Sequence, residues 1–143
     1  MTTVLTRMVA RGLLKPTLVV AIALLVKGYA DVGDGFAAGL VAALGVLLQY
    51  IAFGRERVRR TLPVEHAPAL ALIGLAVVFA VFAVPVAFGN APLEHVPAPG
   101  VEPVHVGTLE LITAVLYDVG IFVLVLGAAI TLIDVLVTTR DGQ

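Results

Sequence analysis

Asp118 is the residue whose type fits least well with its surroundings in this 143-residue chain, because it lies within a long apolar segment. An aspartate at the centre of a membrane-spanning helix costs about 2.5–3.5 kcal/mol, so its side chain faces protein or water rather than lipid. It is then protonated, paired or part of an ion path. Asp118 is therefore a candidate for proton or cation movement, and equally for docking this segment against a neighbouring subunit.

Glu110 and Thr113 precede Asp118 and could extend its polarity toward one end of the same segment. On an ideal helix Glu110 is about 80° around from Asp118, and Asp118 lies ~15 Å along the axis from Thr108. Glu110, Thr113 and Asp118 would then form one polar strip that runs inward from the surface. A solvated carboxylate at the start of the helix is the simpler interpretation of Glu110.

Two more polar residues lie in apolar segments of the sequence. Gln49 is expected to form an interhelical hydrogen bond rather than to bind a ligand, since amide side chains often join helices in this way. Asp134 is about 160° from Asp118 on an ideal helix. Asp134 is expected either to be solvated or to pair with a basic residue.

Several kinds of catalytic or ligand site are excluded. The chain has no Cys, so disulfides, thiolate metal sites and thiol catalysis are not available. His66, His95 and His105 are not spaced as metal ligands on one helical turn. The sequence also contains no dinucleotide fingerprint, P-loop or Ser-His-Asp order. It therefore predicts no metal, no cofactor and no enzyme activity.

The elements that must position these residues are membrane helices. Hydrophobic residues make up 60% of the chain and charged residues only 13%, which excludes an ordinary soluble domain, a disordered segment and a nucleic-acid binder. A spanning helix needs roughly 20 apolar residues. The sequence predicts an all-α integral membrane protein, one domain over residues 1–143, with approximate spans at 4–27, 36–54, 69–88 and 109–137.

The basic residues predict the orientation of these spans. With an even number of spans, eight of the nine Lys and Arg residues share one face, namely Arg7, Arg11, Lys15, Arg55, Arg57, Arg59, Arg60 and Arg140. Cytoplasmic loops are enriched in Lys and Arg, so both termini are predicted to be cytoplasmic. The cluster at 55–60 is expected to lie against the anionic lipids of the inner leaflet. A cleaved signal sequence is the alternative interpretation of the first 30 residues.

A glycine-rich turn separates the first two spans. The stretch GYADVGDGFAAGL, residues 28–40, leaves only about eight residues between two apolar runs, which predicts an antiparallel helical hairpin. Gly33 and Gly35 can adopt the positive φ values that such a reversal needs. Gly35, Gly39 and Ala43 recur every four residues, so they form a smooth stripe on which another helix can pack closely.

This turn, together with the following VAALGVLLQYIAFGRERVRR, resembles the signature of the MnhB family, the B-type component of the Mrp-type multisubunit Na+/H+ antiporters. The matching positions are Gly28, Gly33, Gly35, Phe36, Gly39, Leu40, Gln49, Tyr50, Ala52 and Gly54. The last span resembles the closing helix of that family at Thr113, Asp118, Gly120 and Gly127. The chain departs from the pattern at Tyr29, Val32, Asp34 and Ala38, which stand for His, Pro, Gly and Gly.

The resemblance implies an accessory membrane subunit of a cation/proton antiporter in the plasma membrane. The complex as a whole would exchange Na+ for H+ and support pH and salt homeostasis, and the partners would be its other subunits and membrane lipids. Asp118, Glu110 and Thr113 are the candidates for an ion path or for docking between subunits. Residues assigned to the turn and to helix packing are Gly28, Gly33, Gly35, Phe36, Gly39, Gln49 and Gly120.

Three other functions are compatible with the same sequence. The chain could be a self-sufficient homo-oligomeric transporter or channel, in which Asp118 repeats across protomers. Related subunits also occur in membrane-bound hydrogenases, so the complex could be redox-driven. A purely structural membrane scaffold would make no ion contact. The small number of acidic residues within the spans favours one subunit of a larger complex over a complete two-ion transporter.

Overall fold

A computed structural model describes residues 3–28, 33–87, 89, 104–106, 109–111 and 113–141. Its elements, in chain order, are α1 (Val4–Lys27), α2 (Asp34–Phe53), α3 (Arg55–Thr61), a 3-10 turn (Val64–His66), α4 (Ala67–Ala87), β1 (Val104–Val106), β2 (Leu109–Leu111) and α5 (Thr113–Asp141). Within the described residues, four helices are long and apolar enough to cross a membrane: α1, α2, α4 and α5. The predicted helical membrane protein is confirmed.

The long helices form a row rather than a closed bundle. Helix α1 packs on α2, α2 packs on α5, and α5 packs on α4, so α1 and α4 lie at the two ends. In the most apolar part of α2 half of the residues (50%) are buried, whereas only 11% are buried in α1 and in α4. The row therefore leaves broad apolar surfaces on its outer helices, as expected for contact with lipid or other subunits.

Small residues bring α4 and α5 into close contact. A Cβ atom on Gly74 would overlap the backbone nitrogen of Leu124, and one on Gly127 would overlap the backbone nitrogen of Ala71. A Cβ on Gly120 would lie 2.9 Å from Cγ1 of Val77. Because lipid tails are as apolar as Leu, helices in a membrane associate through close packing, which these glycines allow.

Helix α1 packs on α2 through one polar contact and one close approach. Nε2 of Gln49 donates a hydrogen bond of 2.7 Å to the backbone carbonyl of Ala10, which is the kind of interhelical bond that its position predicts. A Cβ on Gly45 would lie 3.0 Å from Cγ2 of Thr17. A proline favours the start or a bend of a helix, but α1 continues through Pro16. Membrane helices tolerate proline because neighbouring groups and local adjustments can satisfy the freed carbonyl.

Two elements differ from the predicted connections. Residues 55–68 were expected to be a loop, but they contain α3 and the 3-10 turn, whose Val58 and Val64 join a small core with Val46, Tyr50, Ala67 and Ile130. Strands β1 and β2 form an antiparallel pair before α5, with His105 opposite Glu110. Three-residue strands are too short for the alternation by which strands are recognised in a sequence.

Candidate functional site

Asp118 lies at the junction of α5 with the α1–α2 turn. The residue is only 2% exposed, and its Oδ2 accepts a hydrogen bond of 3.0 Å from the backbone N–H of Gly33. Gly33 is the residue that precedes α2, and its φ of 121° lies in the region that side chains rarely adopt. The glycine at this position therefore orients the N–H that meets the buried carboxylate.

Two more glycines of the turn make room for Asp118. A Cβ on Gly28 would lie 2.8 Å from Oδ2 of Asp118, closer than real Cβ atoms approach an oxygen. A Cβ on Gly35 would overlap the backbone carbonyl of Asp118. Gly28, Gly33 and Gly35, which the sequence assigned to the turn, thus surround the residue that the sequence assigned to chemistry.

The turn also has favourable electrostatics for a carboxylate. Unpaired N–H groups give the start of a helix a partial positive charge, and Gly33 presents such a group at the start of α2. Next to it, Nζ of Lys27 donates a hydrogen bond of 2.9 Å to Oδ2 of Asp34, which joins the end of α1 to the start of α2. The arrangement can hold an anionic or a neutral Asp118, because the Gly33 N–H donates to either form.

Glu110 is not on the same helix as Asp118, contrary to expectation. It lies on β2, and α5 begins only at Thr113, so the helical angle between Glu110 and Asp118 does not apply. Asp118 is five residues, or ~7.5 Å, from the start of α5, instead of the expected ~15 Å from Thr108. The pairing of β2 with β1 uses the backbone groups that would have continued the helix backward. Thr113 is half-buried at the start of α5.

Other candidates are placed on different surfaces. Gly39 lies farther along α2 against the same helix as Asp118, because a Cβ there would be 2.9 Å from the backbone oxygen of Phe122. Gly120 contacts α4 instead, as described above. Phe36 was assigned to helix packing, but its side chain is 57% exposed. The helix interface at this end is thus made by the glycines and not by the aromatic ring.

A second polar cluster lies at the other end of α2 and α5. Arg55 donates two hydrogen bonds to Asp134, from Nε to Oδ1 at 3.0 Å and from Nη2 to Oδ2 at 3.1 Å. The hydroxyl of Tyr50 donates a third to Oδ1 at 3.0 Å. Asp134 is therefore the partner of a basic residue, one of its two expected states. Tyr50 was not recognised as its donor, because no local spacing relates residues 84 positions apart.

Comparison with known proteins identifies the family of this two-ended arrangement. The family model MnhB, described as a domain related to the MnhB subunit of Na+/H+ antiporter, matches residues 5–131. This match contains the glycine turn, Asp118 and the row of helices up to Thr131. The chain belongs to the MnhB family. The resemblance seen in the glycine turn and in the last span is confirmed.

Individual MnhB relatives are similar to this chain at moderate identity. A probable K(+)/H(+) antiporter component of the A/B type from Rhizobium meliloti is 31% identical over 131 residues, which are 87% of this chain and 12% of that protein. The B-type component of a Na(+)/H(+) antiporter from Alkalihalophilus pseudofirmus is 29% identical over 109 residues, 74% of this chain and 72% of that protein. The chain thus spans a small part of the first protein and most of the second.

Proposed function

We propose that this chain is an accessory membrane subunit of a multisubunit cation/proton antiporter that exchanges Na+ for H+. The observation that carries the proposal is the match to MnhB over residues 5–131, within which the buried Asp118 meets the glycine turn. The chain would pack beside larger subunits in the plasma membrane. The exchange itself, and its support of pH and salt homeostasis, would belong to the complete complex.

The distribution of buried polar groups supports a role within a complex rather than as a complete transporter. Among the described residues, Gln49 and Asp118 are the polar side chains in the buried interior. Gln49 is engaged with a backbone carbonyl of α1, and Asp118 lies near one end of α5. Moving two kinds of ion across the membrane requires a continuous series of polar groups, which this chain does not supply among those residues.

The outer helices support the assembly with partners. Large apolar side chains of α1 and α4 are exposed over much of their length, including Val19, Ile22, Leu72, Ile73 and Phe79. Lipid covers such surfaces as well as protein does, but a row of helices presents two long faces that neighbouring subunits can extend. Other subunits of a Mrp-type complex are therefore the proposed partners, and both termini are proposed to be cytoplasmic on the basis of the basic residues.

Asp118 is proposed to hold α5 against the α1–α2 turn, with Glu110 and Thr113 near the same end of the molecule. The hydrogen bond from Gly33 supports this role, because it joins two elements of the same chain. The residue type alone suggested docking to a neighbouring subunit, whereas the partner seen here is intramolecular. A contribution to an ion path is the alternative, and it is separated from docking by the Asp118→Asn variant discussed below.

The experiment that tests the function is purification of the tagged chain from its native membrane in mild detergent, followed by mass spectrometry. Recovery with a set of large and small antiporter subunits is expected, together with loss of Na+-dependent proton exchange in vesicles when the gene is deleted. A defined homo-oligomer that alone exchanges Na+ for H+ in liposomes would overturn the proposal. Recovery with redox subunits instead would place the chain in a hydrogenase-type complex and also overturn it.

A further inference from the structure

The end of the molecule opposite Asp118 contains a cleft rich in arginine. The cleft has a volume of about 570 Å³ between α1, α3 and the end of α2, and its lining includes Val4, Arg7, Met8, Arg11, Phe53 and Arg57. We call it the arginine cleft. Arg7 and Arg11 come from α1, whereas Arg57 comes from α3, so only the fold brings these cations together.

The ring of Phe53 is the centre of this arrangement. The guanidinium carbon of Arg11 lies 5.6 Å from the ring centroid, and that of Arg57 lies 5.8 Å from it. Cation–π contacts of this length are favourable, but they also hold two positive charges close together. Neither Arg11 nor Arg57 forms an ion pair with a carboxylate in the part of the chain that the structure describes. An anion bound between them would offset their repulsion.

Apolar surface continues from the arginines in two directions. Val4, Leu5 and Met8 of α1 are 70–81% exposed beside the cleft. A second cleft, of about 410 Å³, shares Arg11, Phe53 and Arg57 and extends to Leu14, Gln49 and Leu62. Cations at the end of membrane helices with apolar surface leading away from them match a molecule that has an anionic head and long apolar chains.

We propose that the arginine cleft binds an anionic phospholipid, with the headgroup phosphate between Arg11 and Arg57 and an acyl chain on the apolar surface of α1. Arginine binds phosphate through a planar fork of donors, and basic pockets between membrane helices accept anionic lipid headgroups. No glycine-rich loop is needed for this mode, because the donors are side chains. The site does not depend on the orientation of the chain, since both leaflets carry phosphates, nor on the proposed antiporter function.

The test is native mass spectrometry of the delipidated full chain in detergent, titrated with phosphatidylglycerol or with phosphatidylcholine of the same acyl chains. The wild type is expected to bind phosphatidylglycerol at least about tenfold more tightly than phosphatidylcholine. Arg11→Gln/Arg57→Gln is expected to weaken phosphatidylglycerol binding about 30-fold, because each basic residue near an anionic lipid contributes a factor of about five. Arg57→Gln alone, the milder variant, should give about fivefold.

The matched control is Lys15→Gln/Arg59→Gln, which removes one cation from each of α1 and α3 outside the lining of the cleft. It is expected to weaken binding about threefold or less, while circular dichroism shows the same helix content in all variants. Equal losses in the two double variants would overturn the proposal, because they would indicate diffuse attraction. Equal binding of the two lipids, or full competition by millimolar inorganic phosphate, would overturn it as well.

A final comparison separates lipid from protein as the occupant. Phosphatidylglycerol is expected to remain bound when the chain is isolated with its natural partners, and the Arg11→Gln/Arg57→Gln complex is expected to retain all subunits but carry less of this lipid. Loss of a partner protein from that variant without loss of lipid would assign the cleft to a protein interface and overturn the proposal.

Discussion

The backbone N–H of Gly33 donates a hydrogen bond of 3.0 Å to Oδ2 of Asp118, although the two residues are 85 positions apart. This bond joins the turn between the first two membrane helices to the beginning of the last one. Glycines at 28 and 35 leave the space in which the carboxylate and its backbone lie. The most costly side chain of the apolar segments is thus placed where a backbone donor can receive it.

Replacement of Asp118 distinguishes docking from ion movement. Asn retains an oxygen that accepts from Gly33, so Asp118→Asn is expected to assemble normally and keep most of the antiport activity of the complex. Asp118→Ala leaves the Gly33 N–H without its acceptor and is expected to lower the free energy of unfolding by about 1–3 kcal/mol. Both variants are measured by thermal unfolding in detergent and by Na+-dependent proton exchange in vesicles. Normal assembly of Asp118→Asn with abolished exchange would instead favour an ion-path role.

Addition of one methyl group at Gly35 tests the close approach of α2 to α5. Gly35→Ala is expected to destabilise the protein by about 1–3 kcal/mol, because the new Cβ overlaps the backbone carbonyl of Asp118. Gly12→Ala is the matched control, since a Cβ there meets no atom within 4 Å and Ala favours a helix over Gly. Thermal unfolding should show a lower midpoint for the first variant and an unchanged or higher midpoint for the second. The same midpoint for both would contradict the packing described here.

Removal of the ion pair at the opposite end tests the second polar cluster. Arg55→Gln is expected to cost about 1–3 kcal/mol, because Asp134 loses two charge-assisted hydrogen bonds and keeps that from Tyr50. Arg60→Gln breaks an exposed pair with Glu56 and is expected to cost at most about 0.5 kcal/mol. Chemical denaturation of the two variants measures the difference. A loss as large for Arg60→Gln would show that helix charge, rather than the Asp134 contact, sets the stability.

Substitution of Gln49 tests the bond between α1 and α2. Gln49→Leu keeps a similar volume but loses the hydrogen bond to the Ala10 carbonyl, so a cost of about 0.5–1 kcal/mol is expected. Leu48→Ala, one residue earlier on the same helix, serves as a comparison for loss of apolar volume at a half-buried position. Unfolding in detergent at constant pH provides both values. An effect of Gln49→Leu above about 2 kcal/mol would mean that the carbonyl has no other partner in the membrane.

The absence of native cysteine makes the orientation of the chain directly measurable. Single replacements Thr3→Cys and Arg59→Cys are expected to be protected from a membrane-impermeant maleimide in intact cells, while Glu94→Cys should be labelled. After permeabilisation all three should react. Labelling of Thr3→Cys with protection of Glu94→Cys in intact cells would mean that both termini lie outside.

Much of the architecture follows from composition and spacing alone. The long apolar segments predict membrane helices because a bilayer satisfies no free backbone groups, and the short glycine turn predicts that the first two helices are antiparallel. The burial of Asp118 also follows from the cost of placing a carboxylate in lipid. These inferences use local properties, namely hydrophobicity, length and the conformational freedom of glycine, and they identify the candidate residues without identifying what each one contacts.

The contacts themselves were decided by the tertiary structure. The order of helices in the row, the Gly33 donor for Asp118, the Tyr50 and Arg55 donors for Asp134 and the two arginines over Phe53 were not encoded in any local spacing. Glu110 shows the opposite case, because pairing of β2 with β1 removed it from the helix that periodicity assigned to it. A pattern of hydrophobicity determines which face of a helix is buried. Which neighbour covers that face depends on the packing of whole helices against one another.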